Sequence, residues 1–120
     1  MNLKDLTLLY VKNFNDKNLE KTVQMFSSNS TLKDPDSIFY GTDSISKELS
    51  HLYSFDDLKL TPKSISVNEE ENLSVLEFHI ELGGGEAEGV DVIKWNMSDQ
   101  IISLTAYVNE VKERRVHGSN

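Results

Sequence analysis

Three polar residues, Tyr10, Asp34 and Asp91, stand on otherwise apolar patterns and carry the chemical signal of this chain. Tyr10 shares a helical face with Leu6 and Phe14, so its ring must pack, and its hydroxyl must find a partner or point into a cavity. Asp91 alternates in phase with Ile93 and Trp95, while Val90, Val92 and Lys94 occupy the other phase. A carboxyl held among large apolar groups with no cation nearby keeps its proton and becomes a hydrogen-bond donor at neutral pH. If the Val90/Val92 phase is the inward one, Asp91 is instead a strand aspartate in water. Asp34 precedes Pro35, which pushes it out of the helical region and holds it at the end of an extended piece. Asp-Pro pairs also occur in plain turns.

Other polar groups form no such set. His51 falls near the end of a helix, His79 alternates with Glu77 and Glu81, and His117 lies in the tail, with no metal-ligand spacing among them. The Glu77, His79, Glu81 row reads as a solvated or partner-facing sheet surface. Glu69-Glu70-Glu71 is an acidic turn, and Gly83-Gly84-Gly85 lacks the strand-to-helix setting and the lysine of a phosphate loop. No metal or cofactor is called for.

The periodicities supply the elements that must position these side chains. Asn2 with Asp5 resembles a capped helix start, followed by an apolar face of Leu3, Leu6, Tyr10 and Phe14. After the polar break Asn15-Asp16-Lys17-Asn18, the spacing of Leu19, Val23 and Phe26 predicts a second helix ending at Ser27-Ser28-Asn29-Ser30. Thr31 to Asp34 reads as a short extended piece. Gly41-Thr42-Asp43 supplies helix-start residues for a third stripe of Ile45, Leu49 and Leu52, stopping near Tyr53. From Leu58 the period becomes two, through Leu60, Ile65, Val67, Leu76, Phe78, Ile80 and Leu82. Gly83 to Gly85 joins residues 73–82 to 86–97 as a hairpin, and Met97 to Gln100 turns onto a last strand, 101–109. Helices first and an antiparallel meander last predict an α+β fold with helices covering one face of a sheet. One domain over residues 1–110 is expected, with a charged, frayed tail over 111–120.

With 120 residues, 38% of them hydrophobic, the chain can bury one core. Twelve Lys and Arg against 20 Asp and Glu give a net charge of -8, which makes nucleic acid and anionic membrane poor partners. The absence of cysteine removes disulfides, thiolate chemistry and zinc-thiolate sites. The longest apolar run near the start is Leu8-Leu9-Tyr10-Val11, too short for a signal peptide core, so a soluble cytoplasmic protein is expected.

Tyr10-Val11, Asn15, Leu19, Phe26, Thr31 and Asp34-Pro35 together resemble the N-terminal half of ketosteroid isomerases. Gly41-Thr42 with Ile45 fits that family's third-helix start. The segment from Val90 through Asp91, Trp95 and Asn96, then Ile101-Ile102-Ser103-Leu104 and Ala106, fits its last two strands. The resemblance covers roughly residues 8–54 and 86–109. It implies a nuclear transport factor 2-like, cystatin-like fold, in which a curved antiparallel sheet forms a cone packed with three N-terminal helices. It also implies that Tyr10 and protonated Asp91 hold an enolate oxygen while Asp34 shuttles a proton. A carboxylic acid kept neutral by its apolar site is a known feature of that family. Phe26, Phe78, Ile80, Ile93, Trp95, Leu104 and Ala106 would then bind a small apolar, carbonyl-containing substrate, and the chain would form a homodimer through the sheet face bearing Tyr107. Leu49 stands where some relatives carry a tyrosine that supports the oxyanion-hole tyrosine. The same fold serves SnoaL-like polyketide cyclases and non-catalytic modules for ligand binding or dimerisation, so fold alone does not fix function. An epoxide hydrolase of this fold would want an arginine between two aspartates in the pocket, and the chain's arginines are Arg114 and Arg115 near the tail.

Overall fold

A computed structural model describes residues 1–114. Helix α1, Leu3–Asn15, starts where Asn2 Oδ1 accepts a hydrogen bond from the Asp5 backbone N–H at 2.8 Å. Its stripe of Leu3, Leu6, Tyr10 and Phe14 is buried. Helix α2, Leu19–Gln24, is capped by Asn18 Oδ1, which accepts from the Lys21 N–H at 3.0 Å. Helix α3, Gly41–Tyr53, buries Ile45 and Leu49. Gly41 sits at φ 80°, a left-handed conformation natural to glycine, and this turn aims α3 across the sheet.

The strands are β1 (Phe26–Lys33), β2 (Ile38–Tyr40), β3 (Lys59–Asn68), β4 (Leu73–Leu82), β5 (Gly85–Trp95), β6 (Ile101–Val108) and β7 (Lys112–Glu113). They form one sheet in the order β2-β1-β6-β5-β4-β3, with β7 paired to the start of β5. All pairings are antiparallel except β1 with β6. The helices cover one face, giving the expected α+β architecture with a curved, unclosed sheet. No described helix is long and apolar enough to cross a membrane.

The structure departs from the sequence expectations at two places. Phe26 is not on α2, and Ser27 to Ser30 is not a turn: both belong to β1. The helix stops because the Met25 carbonyl accepts from the Ile101 N–H at 2.7 Å, which seats Phe26 opposite Ile101. The serine-rich stretch is the irregular part of β1: the pairing with β6 holds at Phe26 and resumes at Thr31 after a shift in register, and β2 pairs only with residues 31–33. The second departure is in the tail. Lys112–Glu113 pair with Gly85–Glu86, and Arg114 forms ion pairs with Asp57 and with Glu81, the latter at 3.6 Å. Arg115 and His117 lie outside the described residues.

Along β5, Ala87, Asp91, Ile93 and Trp95 all face the core, so the Ile93/Trp95 phase is the inward one. Gly89 shares that phase opposite Phe78 of β4. A Cβ on Gly89 would lie 2.6 Å from Phe78 Cζ, so the glycine makes room for the ring.

Candidate active site

Tyr10, Asp34 and Asp91 come to one cavity of about 590 Å³ between the sheet and the helices, a size typical of small-molecule sites. Its walls are mainly apolar, with Phe78 and Ile80 from β4 and Leu104 and Ala106 from β6. Each of these four is a residue for which the sequence suggested a ligand contact.

Tyr10 reaches the cavity from the third turn of α1. Its ring packs against Phe14, with centroids 6.0 Å apart, and edge-on against Phe26 at 6.3 Å. Among the described residues its hydroxyl makes no hydrogen bond, although the residue is only 3% exposed. Burial chiefly, then the nearby charge of Asp91 and then Tyr53, hold its phenol well above its ordinary range. It therefore stays a proton donor at any physiological pH.

Asp91 enters from the middle of β5, flanked in register by Leu76 on β4 and Ala106 on β6. It is 4% exposed, and no described residue donates a hydrogen bond to it. Burial pushes its carboxyl up from 3.8 to about 7. An unpaired acid of this kind, at the wall of an open cavity, is a neutral donor over much of the acid and neutral range.

Asp34 follows the end of β1 and is oriented by its own turn. Its Oδ1 accepts from the backbone N–H groups of Asp36 at 2.9 Å and Ser37 at 2.8 Å. The second carboxylate oxygen makes no bond to a described residue, so one face of the group is held and the other is open for chemistry.

Three of the expected ligand contacts are placed elsewhere. Phe26, Ile93 and Trp95 are each 2% exposed or less and do not line the cavity. Phe26 instead supports the Tyr10 ring. Trp95 Nε1 donates to Ser74 Oγ at 2.9 Å, and Ser74 Oγ lies 2.8 Å from Thr7 Oγ1. That buried network anchors α1 to β4 and β5 rather than serving a ligand. Its indole needs the partner, since a buried N–H without one is costly. Because the indole is committed there, it does not fill the cavity.

Sequence reasoning missed Glu48. It lies on α3 between Ile45 and Leu52 in the apolar stripe, half-buried, and lines the cavity with Asp34. The signal was a carboxylate three residues after Ile45 and four before Leu52, hence on the covered side of the helix. Burial and then the charge of Asp34 push its carboxyl above the ordinary range, while His51 acts in the opposite direction.

The Glu77, His79, Glu81 row is on the other face of the sheet. His79 Nε2 lies 3.4 Å from Glu86 and Nδ1 3.2 Å from Glu88, so both ring nitrogens have carboxylate neighbours. His79, Glu81 and Glu86 have ligand atoms within 4.8 Å of one another, but none of them lines the cavity. Arg114 is committed to Asp57 and Glu81 and does not line it either. That face also carries a separate depression of about 510 Å³ bordered by Glu77, Val90, Thr105 and Tyr107.

No protein-family model and no curated protein matches the chain. Among solved structures it is similar to an NTF2-like protein of unknown function from Cytophaga hutchinsonii ATCC 33406. That match has a TM-score of 0.80 and 16% identity, over 91% of each chain. It is similar to the epoxide hydrolase/cyclase-like enzyme SalBIII, which has a role in pyran ring formation in the polyether salinomycin. There the TM-score is 0.85 at 14% identity, covering 92% of this chain and 95% of the other. A third neighbour is a protein of unknown function with a cystatin-like fold from Methylobium petroleophilum PM1, at TM-score 0.79 and 12% identity, over 96% of this chain and 78% of that one. At these identities the likeness is one of fold, and the chain has the nuclear transport factor 2-like, cystatin-like fold.

Proposed function

We propose that this chain is an enzyme that moves a proton on a carbonyl-activated apolar molecule through an enolate, as ketosteroid isomerases do. The observation that carries the reading is Asp91, a buried carboxyl without a hydrogen-bond partner that opens on the same cavity as Tyr10 and Asp34. A structural carboxylate in that position would be expected to have a cation or N–H groups around it. A neutral acid waiting for a developing oxyanion would not need them.

In this mechanism the substrate carbonyl oxygen sits between the Tyr10 hydroxyl and the Asp91 carboxyl. Asp34 removes a proton from the carbon between the carbonyl and the alkene. The electron pair of that C–H bond forms the dienolate, whose oxygen the two donors stabilise. The same proton returns from Asp34 to the far carbon of the alkene, giving the conjugated isomer with no net change in atoms or charge. The apolar walls exclude water and strengthen both donor contacts.

The test is conversion of a β,γ-unsaturated steroid ketone to its conjugated isomer, followed by ultraviolet absorbance. Turnover is the expected result. No turnover, with planar ketones still binding, would move the assignment to a second reading. In that reading a cyclase uses the same stabilised enolate to form a carbon–carbon bond; SalBIII, of the same fold, supports cyclisation only in general, since a pyran ring is closed by a carbon–oxygen bond. A non-catalytic module binding an apolar ligand is the reading left if neither reaction is found.

A cytoplasmic homodimer accompanies the proposal. Tyr107, 62% exposed, lies beside Thr105 and the depression on the outer face of the sheet, a polar-aromatic mix suited to association. Light scattering should give twice the chain mass at micromolar concentration. A monomer mass that does not change with concentration would rule the dimer out.

A further inference from the structure

Among the described residues, the acid and base side chains lining the cavity are all carboxyl groups apart from the Tyr10 phenol. Asp34, Asp36, Glu48, Asp91 and Glu110 contribute to its lining, and no lysine, arginine or histidine among the described residues does. Asp91 is deep in the wall, whereas Asp36 and Glu110 are exposed. Between these levels, Asp34 and Glu48 are half-buried carboxylates carried by different elements, the end of β1 and the middle of α3. Asp34 has its turn to hold it. Glu48 has neither a hydrogen bond nor an ion pair with any described residue, and His51, one turn further along α3, offsets its partial desolvation only in part. The cavity also presents Tyr10 and Asp91, buried and unpartnered, which mark it independently as a ligand site.

We propose that the ligand is a flat apolar carbonyl compound bearing a cationic group, and that this group is held beside Glu48 and Asp34 while the carbonyl end lies between Tyr10 and Asp91. A cation there relieves the repulsion between two carboxylates and satisfies the one without a partner. An anionic substituent, such as a carboxylate or phosphate, would be placed there beside two carboxylates of its own sign. Glu48 is a specificity residue in this scheme, acting on the remote end of the ligand. The inference rests on the enolate-site reading for the orientation of the ligand and adds its charge class.

The test uses three naphthyl ketones with the same aromatic body, ending in a trimethylammonium, a methoxy or a carboxylate group, titrated by fluorescence. Trimethylammonium keeps its charge at every pH. In the wild type the cationic probe is expected to bind roughly three- to tenfold more tightly than the neutral one, and the carboxylate probe correspondingly more weakly. The cationic-to-neutral affinity ratio should fall by about half or more in Glu48→Gln, where Asp34 still attracts the cation, and fall further, toward one or below, in Glu48→Lys. It should also shrink in 0.5 M salt, because the mouth is open to solvent. A ratio near one in the wild type, or one unchanged in Glu48→Gln, overturns the charge inference while leaving the enolate site standing, provided the neutral probe binds. If none of the three probes binds, the ligand site and its charge preference fall together.

Discussion

Asp34→Asn should lower kcat for the enone isomerisation by roughly 10²- to 10⁴-fold, the range expected when a positioned general base is removed. KM should change far less, because Asp34 contributes chemistry rather than the apolar contacts that hold the ligand. The substitution is unusually clean in this setting. An asparagine Oδ1 can still accept from the Asp36 and Ser37 N–H groups, so the turn that orients the side chain survives. Thermal stability close to wild type would confirm that the loss is chemical. The result that sinks the assignment is a kcat reduced less than about threefold against that 10²-fold minimum. In that case Glu48, the other half-buried carboxylate on the cavity wall, becomes the base to test.

The residues most legible in the sequence were those whose pattern and neighbours agreed. Leu3, Leu6, Tyr10 and Phe14 repeat at helical spacing and are all buried on α1. Asp91 keeps the phase of Ile93 and Trp95, and that phase is the inward one. What pattern could not give was depth. Ile93 and Trp95 share the inward face with Asp91 but lie where the helices pack down on the sheet, so alternation correctly predicted their burial and said nothing about contact with a cavity. Phe26 kept the spacing of Leu19 and Val23, yet a long-range hydrogen bond from Ile101 to Met25 ends the helix before it. The parallel pairing of β1 with β6 joins segments about 70 residues apart, and no local signal encodes it. Glu48 was hidden for the opposite reason: a glutamate on a helix is ordinarily solvated, and it is its burial in the folded chain, then the approach of Asp34 from another element, that makes it unusual.

Asp91 should show opposite effects on activity and stability. Asp91→Ala removes one of two oxyanion donors and is expected to cost roughly 10²- to 10³-fold in kcat. Asp91→Asn keeps an N–H donor and removes the ionisation, which isolates the effect of charge. In the native state the Asp91 carboxyl holds its proton up to about pH 7, whereas its ordinary value is 3.8. Between these values the unfolded chain releases a proton that the folded chain keeps. Stability from this group is therefore fully present below about pH 4 and declines as pH rises toward 7, levelling off above it. The shift corresponds to on the order of 4 kcal/mol of native-state cost at pH 8. Urea unfolding at pH 5 and pH 8 should show the wild type losing stability relative to Asp91→Asn across that interval. Parallel losses in the two proteins would mean that Asp91 ionises normally and is not the neutral donor. Activity should follow the same titration, with kcat/KM of the wild type falling above about pH 7 as Asp91 loses its proton. Tyr10, the other donor, stays protonated well beyond that range, and Asp34 and Glu48 remain in both proteins. A basic limb present in the wild type and absent from Asp91→Asn would therefore belong to Asp91. The destabilising burial of this acid is then tied to its use as an oxyanion donor, a site that loses stability to gain a proton at neutral pH.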